Sequence, residues 1–344
     1  LSPLRDFLVQ SSSLLREAVR VIDRAGVQAC LVVNGSNQMV GMLSDGDVRR
    51  ALLEGHSLES VVAQLMNSKF HFLRAPASLA TAEQLMTKHQ IRHVPVLNDL
   101  GQVAELFALS DSLLPPSLPI PTVIMAGGKG LRLRPLTKET PKPMLLLGKR
   151  PLLEHVLDRC ISAGLTNIYM SVNYLASQIR GHFGDGSRWG VTINYLEERH
   201  ELGTAGALGL LPGNPTDVVV LNGDVLTEVN LRHLVEFHRE TRSSVTVALR
   251  EFFVEVPYGV VSLDGFRVEE IREKPSHRHF VNAGVYVLKG EVTDLVPPGQ
   301  AFDMPDLIHD AIERGLSVSG FPLHEDWLDV GTFEALEQAR GRNE

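Results

Sequence analysis

The apolar run from Thr122 to Ala126 empties into three glycines, Gly127, Gly128 and Gly130, set where a strand has to turn. No other stretch limits the fold as tightly. Glycine adopts φ > 0 without a Cβ penalty and lets backbone N–H groups come close to an anion. A row of such groups forms an anion-binding nest, and Arg132, Arg134 and Lys142 add formal positive charge beside it. From Lys129 to Arg150 seven Lys/Arg stand against one acid, in a chain whose formal net charge is −8. That local excess points to a polyphosphate ligand, not to a generally basic protein. Two commoner glycine motifs are absent: Lys129 is followed by Gly130, so this is no Walker loop, and Leu133 stands where the third glycine of G-x-G-x-x-G belongs. A plain glycine-rich surface turn is the alternative. It does not account for strand, glycines, arginine and Pro141-Lys-Pro143 occurring in that order.

The segment from Ala126 to Pro143 resembles the signature of the sugar-1-phosphate nucleotidyltransferases, A-G-G-x-G-T-R-L-x-P-L-T followed by P-K-P. Leu131 replaces the usual threonine, which removes one hydroxyl donor and keeps the backbone N–H. The resemblance implies that Ala126, Gly127, Gly128 and Gly130 cradle the nucleotide. Arg132 would then hold the leaving pyrophosphate, with Lys142 nearer the α-phosphate.

A chain of 344 residues, 44% hydrophobic and 22% charged, is ordinary globular material of two or three domains. Its two cysteines, Cys30 and Cys160, sit in apolar-periodic segments and read as buried thiols of a reducing, cytoplasmic setting. No run approaches the roughly 18 residues needed to span a bilayer, and no signal-peptide pattern opens a sequence that starts at Leu1. The acidic net charge argues against nucleic acid as a partner. No membrane partner is expected either.

Four prolines between Ser110 and Pro121 interrupt helix and sheet and read as a linker, centred on 114–120. The expected division is therefore 1–113 before it and 121–344 after it. The first part repeats internally, about 1–57 and 58–113, each half running helix, strand, turn, strand. The halves resemble a tandem pair of CBS domains, which commonly bind adenine nucleotides (AMP or ATP) and often dimerise. In the first half Gly41-Met-Leu-Ser44-Asp-Gly-Asp47 matches the family's G-x-x-[TS]-x-x-D. In the second, Glu105 and Ala108 replace the glycine and the hydroxyl, and Asp111 alone is kept. At most one good nucleotide site is expected, on Ser44 and Asp47 with Asp111 as the remnant of the other. The same residues also make good helix caps.

After the signature, an amphipathic helix opened by Pro151 ends at Gly164, and strands are expected at 167–172, 191–196 and 217–221. Alternation of this kind predicts an α/β fold with a Rossmann-like, mainly parallel mixed sheet, preceded by the small α/β CBS pair. In such sheets ligands bind beyond the carboxyl ends of the strands. There Val218 to Leu221 runs into Asn222-Gly223-Asp224, and a second acid, Asp329, precedes Gly331. Each alone reads as a turn or cap residue. The resemblance makes them the holders of Mg²⁺, which takes one or two carboxylates and completes its shell with water and phosphate oxygens.

Four smaller motifs lie between. Leu202-Gly-Thr-Ala-Gly206 resembles the L-G-T-A-G of the guanylyltransferase branch and implies nucleotide contacts at Gly203, Thr204 and Gly206. Pro257-Tyr-Gly259, Glu273-Lys274-Pro275 and Asn282-Ala-Gly284 resemble elements that bind the sugar and its phosphate, implicating Gly259, Glu273, Lys274 and Asn282. His277 and His279 read as a solvent loop, not a zinc site. The whole chain is similar to a CBS pair followed by a guanylyltransferase, as in the glucosamine-1-phosphate guanylyltransferases of legionaminate-type pathways. Mannose and heptose 1-phosphate guanylyltransferases compete with it. The implied reaction joins an NTP, GTP by preference, to a sugar 1-phosphate, in a homodimer regulated through the CBS pair. A UTP- or dTTP-specific transferase is one alternative, and a nucleotide-sensing protein with an inactive transferase half is another.

Overall fold

The computed structural model describes residues 4–25, 28–89, 91–108 and 117–341. The chain divides into two compact units, Leu1–Leu114 and Pro115–Glu344. Among the described residues no helix is long and apolar enough to cross a membrane.

The N-terminal unit builds the same motif twice. In the first copy Leu8–Gln10 runs parallel to Ala29–Val33, which pairs antiparallel with Met39–Ser44; in the second Leu73–Arg74, His93–Leu97 and Val103–Ala108 do the same. The leading strands, three and two residues long, are too short to show a period in the sequence. The helix Leu15–Ala25 buries Leu15, Ala18, Val19 and Ile22, a 3.6-residue stripe, against Cys30, Val32 and Leu43. Matching asparagines shape the two turns. Asn34 Oδ1 accepts from the N–H groups of Ser36 and Gln38, and Asn98 Oδ1 from those of Leu100 and Gln102. The turns dock on each other, Gln38 Nε2 donating to the Leu100 carbonyl at 3.0 Å and Gln102 Nε2 to that of Ser36 at 3.3 Å. Cys30 and Cys160 are both fully buried, which pushes each thiol up to about 12.

In the C-terminal unit, seven of the described strands form one sheet in the order Thr192–Glu197, Asn167–Val172, Thr122–Met125, Asp217–Asn222, Ser276–Lys289, Val245–Glu255, Val318–Leu323. The first four are mutually parallel; Ser276–Lys289 runs against both neighbours, and the last two are parallel again. Helices cover both faces, which is why the central strands read as unbroken apolar runs. Ile124, Val219 and Leu221 face Leu153, Leu157 and Leu234, while Val123, Val218 and Val220 face Met304 and Leu307. The solvent loop expected at His277 and His279 is a correction. Both histidines lie in the strand Ser276–Lys289, opposite Val254 and Phe252, where the long ladder pairs their backbone.

From Thr122–Met125 the chain steps outward to Asn167–Val172 and Thr192–Glu197, then returns to place Asp217–Asn222 on the other side of its first strand. The order therefore reverses between Thr122–Met125 and Asp217–Asn222. At such a switch point the connections leave in opposite directions and open a crevice at the carboxyl ends.

Candidate active site

That crevice is a cavity of about 470 Å³ lined from four parallel strand ends, by Met125 and Ala126, by Ser171, by Glu198 and by Asn222 to Asp224. Gly127, Gly128, Gly130, Arg132 and Lys142 close it on one side, Leu202 to Thr204 on another. Most of the nucleotide and catalytic residues singled out in the sequence thus meet in one place. Among the described residues, the N–H groups from Gly127 to Gly130 donate to no protein acceptor, as suits a nest for an anion. The glycines have separate reasons. A Cβ on Gly127 would stand 2.7 Å from Glu198 Oε1, and one on Gly130, at φ +60°, 2.8 Å from Lys142 Cβ. Gly128 has nothing within 4 Å, so its side of the loop is open.

Asp224 and Asp329 are brought together by a pairing of short strands, Val225–Thr227 against Trp327–Asp329, with Asp329 opposite Val225. The Val330 N–H donates to the Asp224 carbonyl at 3.0 Å, and the Trp327 indole N–H to the Ala283 carbonyl at 2.8 Å. Buried Lys142 donates from Nζ to Asp224 Oδ2 at 2.5 Å and lies 4.0 Å from Asp329 Oδ1. Burial raises the Asp329 carboxyl above its ordinary range and the neighbouring Asp224 charge adds to this; Lys142 and Arg132 oppose both. Asp329 Oδ1 is itself buried with no hydrogen-bond partner. Two converging carboxylates, one with an orphaned buried oxygen, fit a hard divalent cation that takes one or two carboxylates.

Arg132 is seated by an absence. A Cβ on Gly331 would fall 3.1 to 3.3 Å from three atoms of its guanidinium, so the fork lies flat against that glycine, next to Asp329. Leu133, Leu145, Val330 and Leu336 form one buried cluster that ties the signature loop to the C-terminal segment. Gly331→Ala is therefore expected to displace the fork and lower turnover roughly tenfold, a fraction of what loss of one preorganised donor costs. Steady-state kinetics on the variant, beside a melting curve to show an intact fold, measures it.

Other expected residues are engaged within the protein or stand away from the cavity. Thr204 lines the cavity, yet its hydroxyl donates to Asp303 Oδ1 at 3.1 Å and accepts from the Met304 N–H at 2.8 Å. It therefore clips the loop to the start of the helix Met304–Glu313. Gly206 sits beneath the loop, where a Cβ would meet the Gln300 carbonyl at 2.6 Å. Asn282 Oδ1 accepts from the Gly284 N–H, and Gly284 abuts Asn222, so this bend lies beside a strand end that lines the cavity. Gly259, Glu273 and Lys274 do not line it; they stand at the root of an exposed hairpin, with Lys274 at φ +44°. Glu198 was missed in the sequence. Its carboxylate accepts from Ser171 Oγ at 2.5 Å and from the Leu202 N–H at 3.1 Å. No local pattern distinguishes it from Glu197.

In the N-terminal unit Ser44 and Asp47 form a complete capping box on the helix Asp45–Leu53, and Arg50 pairs with Asp47 at 2.9 Å. Asp111 lies outside the described residues. Ser44→Ala is expected to cost about 1 kcal/mol as a lost cap, read as a lower urea midpoint for the N-terminal transition.

Residues 121–343 match the nucleotidyl transferase family, and residues 4–54 and 62–111 each match the CBS domain. The chain belongs to the nucleotidyl transferase family, with two CBS domains preceding the transferase part. It is 34% identical over 226 residues to the mannose-1-phosphate guanylyltransferase of Mycobacterium tuberculosis, covering 62% of each chain. To the UTP–glucose-1-phosphate uridylyltransferase of Synechocystis it is 33% identical over 238 residues, covering 63% of this chain and 61% of that one. The chain spans about three-fifths of the length of these curated relatives. Among solved structures, a putative glucose-1-phosphate thymidylyltransferase from Bacillus anthracis superposes with a TM-score of 0.54 at 26% identity, covering 65% of this chain and 95% of that one.

Proposed function

We propose that this protein transfers a nucleotidyl group from a nucleoside triphosphate, GTP by preference, to a sugar 1-phosphate of amino sugar, mannose or heptose type. The products are a nucleoside diphosphate sugar and pyrophosphate. The observation that carries the reading is the convergence of Asp224 and Lys142 on a glycine loop with free N–H groups, at the carboxyl ends of parallel strands, with the buried Asp329 Oδ1 4.0 Å from Lys142 Nζ behind them. A preference for GTP is supported by the Leu202-Gly-Thr-Ala-Gly206 element and by the guanylyltransferase name of one relative.

In the proposed reaction an oxygen of the sugar phosphate bonds to the α-phosphorus while the bond from that phosphorus to the oxygen bridging it to the β-phosphate breaks. The nucleophile is already anionic at neutral pH, so no strong base is needed, and catalysis rests on positioning and charge neutralisation. The N–H groups from Gly127 to Gly130 and the Arg132 fork receive the leaving pyrophosphate. Lys142, fixed between two carboxylates, presents its charge at the α-phosphate. A divalent cation, Mg²⁺ by the oxygen donor set, would be held by Asp224 and Asp329 and would neutralise the two phosphates as they approach. Gly259, Glu273, Lys274 and Asn282 are assigned to the sugar and its phosphate. The CBS pair is assigned a regulatory adenine nucleotide, AMP or ATP, whose effect is bounded by its differential affinity for the two states.

Pyrophosphate release with Mg²⁺, measured for GTP, UTP, dTTP, CTP and ATP against a panel of sugar 1-phosphates, tests this. Release with GTP and one sugar class is expected. Release only with UTP or dTTP overturns the base assignment, and silence in a folded protein that binds AMP favours the sensing alternative.

A further inference from the structure

One acid in the cavity has neither a cation beside it nor a part in the phosphate chemistry. Three carboxylates line the cavity among the described residues, those of Glu198, Glu201 and Asp224. Asp224 holds Lys142 and is assigned to the divalent cation. The Glu201 side chain is 58% exposed and pairs with Lys129 at 3.1 Å. Among the described residues no lysine, arginine or histidine pairs with Glu198, whose partners are all uncharged.

Those partners pin it from every side. Its backbone N–H donates to the Val172 carbonyl at 3.0 Å, and its carbonyl accepts from Asn173 Nδ2 at 2.7 Å. Oε1 accepts from the hydroxyl of buried Ser171 at 2.5 Å, and Oε2 from the Leu202 N–H at 3.1 Å. An ionised carboxylate offers about four lone-pair sites, so about half of them stay open. Oε1 also faces the bare side of Gly127, and Gly203 follows Leu202 in the opposite wall. Walls without side chains on either hand leave room for a flat ring.

Phosphate is the wrong partner for this group, because like charges repel. Ser171, beneath the carboxylate, lies in the strand Asn167–Val172, two strand spacings from Asp217–Asn222, or about 10 Å at about 4.8 Å each. A nucleoside extending from an α-phosphate near Asp224 would bring its base to that place. Guanine alone among the common bases presents two adjacent donors there, N1–H and the N2 amine, to a group that only accepts. Adenine and cytosine set an acceptor beside their amine, and uracil and thymine flank N3–H with carbonyls. Each of them would turn a lone pair against a carboxylate oxygen, which is a penalty as well as a lost bond.

We propose that Glu198 selects the base, its two oxygens accepting from N1–H and the N2 amine of guanine between Gly127 and Gly203. The inference rests on the nucleotidyl transfer proposed above and gives its preference for GTP a physical cause.

Calorimetric titration of the full chain with GTP, ITP, 2′-deoxy-GTP and UTP, with Mg²⁺ and without sugar phosphate, is the test. ITP lacks only the N2 amine. The wild type should bind it roughly 10- to 100-fold more weakly than GTP, the worth of one hydrogen bond to a charged group. Glu198→Gln keeps the size, can donate to Ser171 Oγ and accept from the Leu202 N–H, and turns an amide donor towards the guanine donors. It should erase most of the gap between GTP and ITP and raise UTP binding relative to GTP. A wild type that binds ITP as well as GTP would overturn the proposal without recourse to any variant. So would a Glu198→Gln protein that keeps the gap, or one that weakens all four nucleotides alike. A variant that narrows the gap between GTP and 2′-deoxy-GTP instead would put Glu198 on the ribose and overturn it too. Should the wild type bind none of the four, the transfer reading falls with it, whereas transfer from GTP beside equal binding of ITP sinks the base assignment alone.

Discussion

Asp224→Asn is expected to lower pyrophosphate release roughly 10³-fold, about 4 kcal/mol of transition-state stabilisation. Asparagine keeps the volume and a carbonyl acceptor for Lys142 Nζ, now 2.5 Å from Oδ2, so the buried lysine keeps a partner and the unit should keep its fold. What disappears is one of the two negative charges that face each other across the pairing of Val225–Thr227 with Trp327–Asp329. With a single carboxylate left, on Asp329, the site should bind a divalent cation more weakly. The loss should accordingly be relieved in part by excess Mg²⁺. A variant with wild-type melting and near-normal turnover would remove Asp224 from the chemistry.

The second large effect is at Arg132. Its guanidinium lies against Gly331 beside Asp329, at the mouth of the glycine loop, and the variant Arg132→Ala takes away the only arginine that lines the cavity among the described residues. Turnover should fall roughly 10²-fold, as for one preorganised electrostatic donor, with a smaller change in the KM for the sugar phosphate. Arg132→Lys should recover little of it, since a point charge does not reproduce a planar fork. Saturation kinetics in each substrate separates these effects. Because Gly331→Ala acts through the same side chain, its penalty should vanish when Arg132 is already alanine, and a double-mutant cycle reads that coupling.

Much of this architecture is legible from residues alone, for local reasons. Val218 to Leu221 announces a strand covered on both faces, and the glycines at 127 and 130 announce a turn with no room for a Cβ at those two positions. What stays hidden is what distant segments decide. Asp329 reaches Asp224 through strands of three residues more than a hundred positions apart, too short to leave a period. Thr204 reads as a donor to ligand because nothing near it betrays Asp303, whose carboxylate accepts its hydroxyl hydrogen bond. Glu198 is invisible beside Glu197 until Ser171 and Gly127 are placed against it.

The carboxylates and the glycine loop are proposed to serve transfer at the α-phosphorus. Incubating the protein with α-labelled GTP, Mg²⁺ and the sugar 1-phosphate panel, and following the label, tests it most directly. Label is expected to move into a nucleoside diphosphate sugar, only with sugar phosphate present and not with Asp224→Asn. Label that stays in GTP, or appears in GDP or GMP whatever sugar is added, would contradict it.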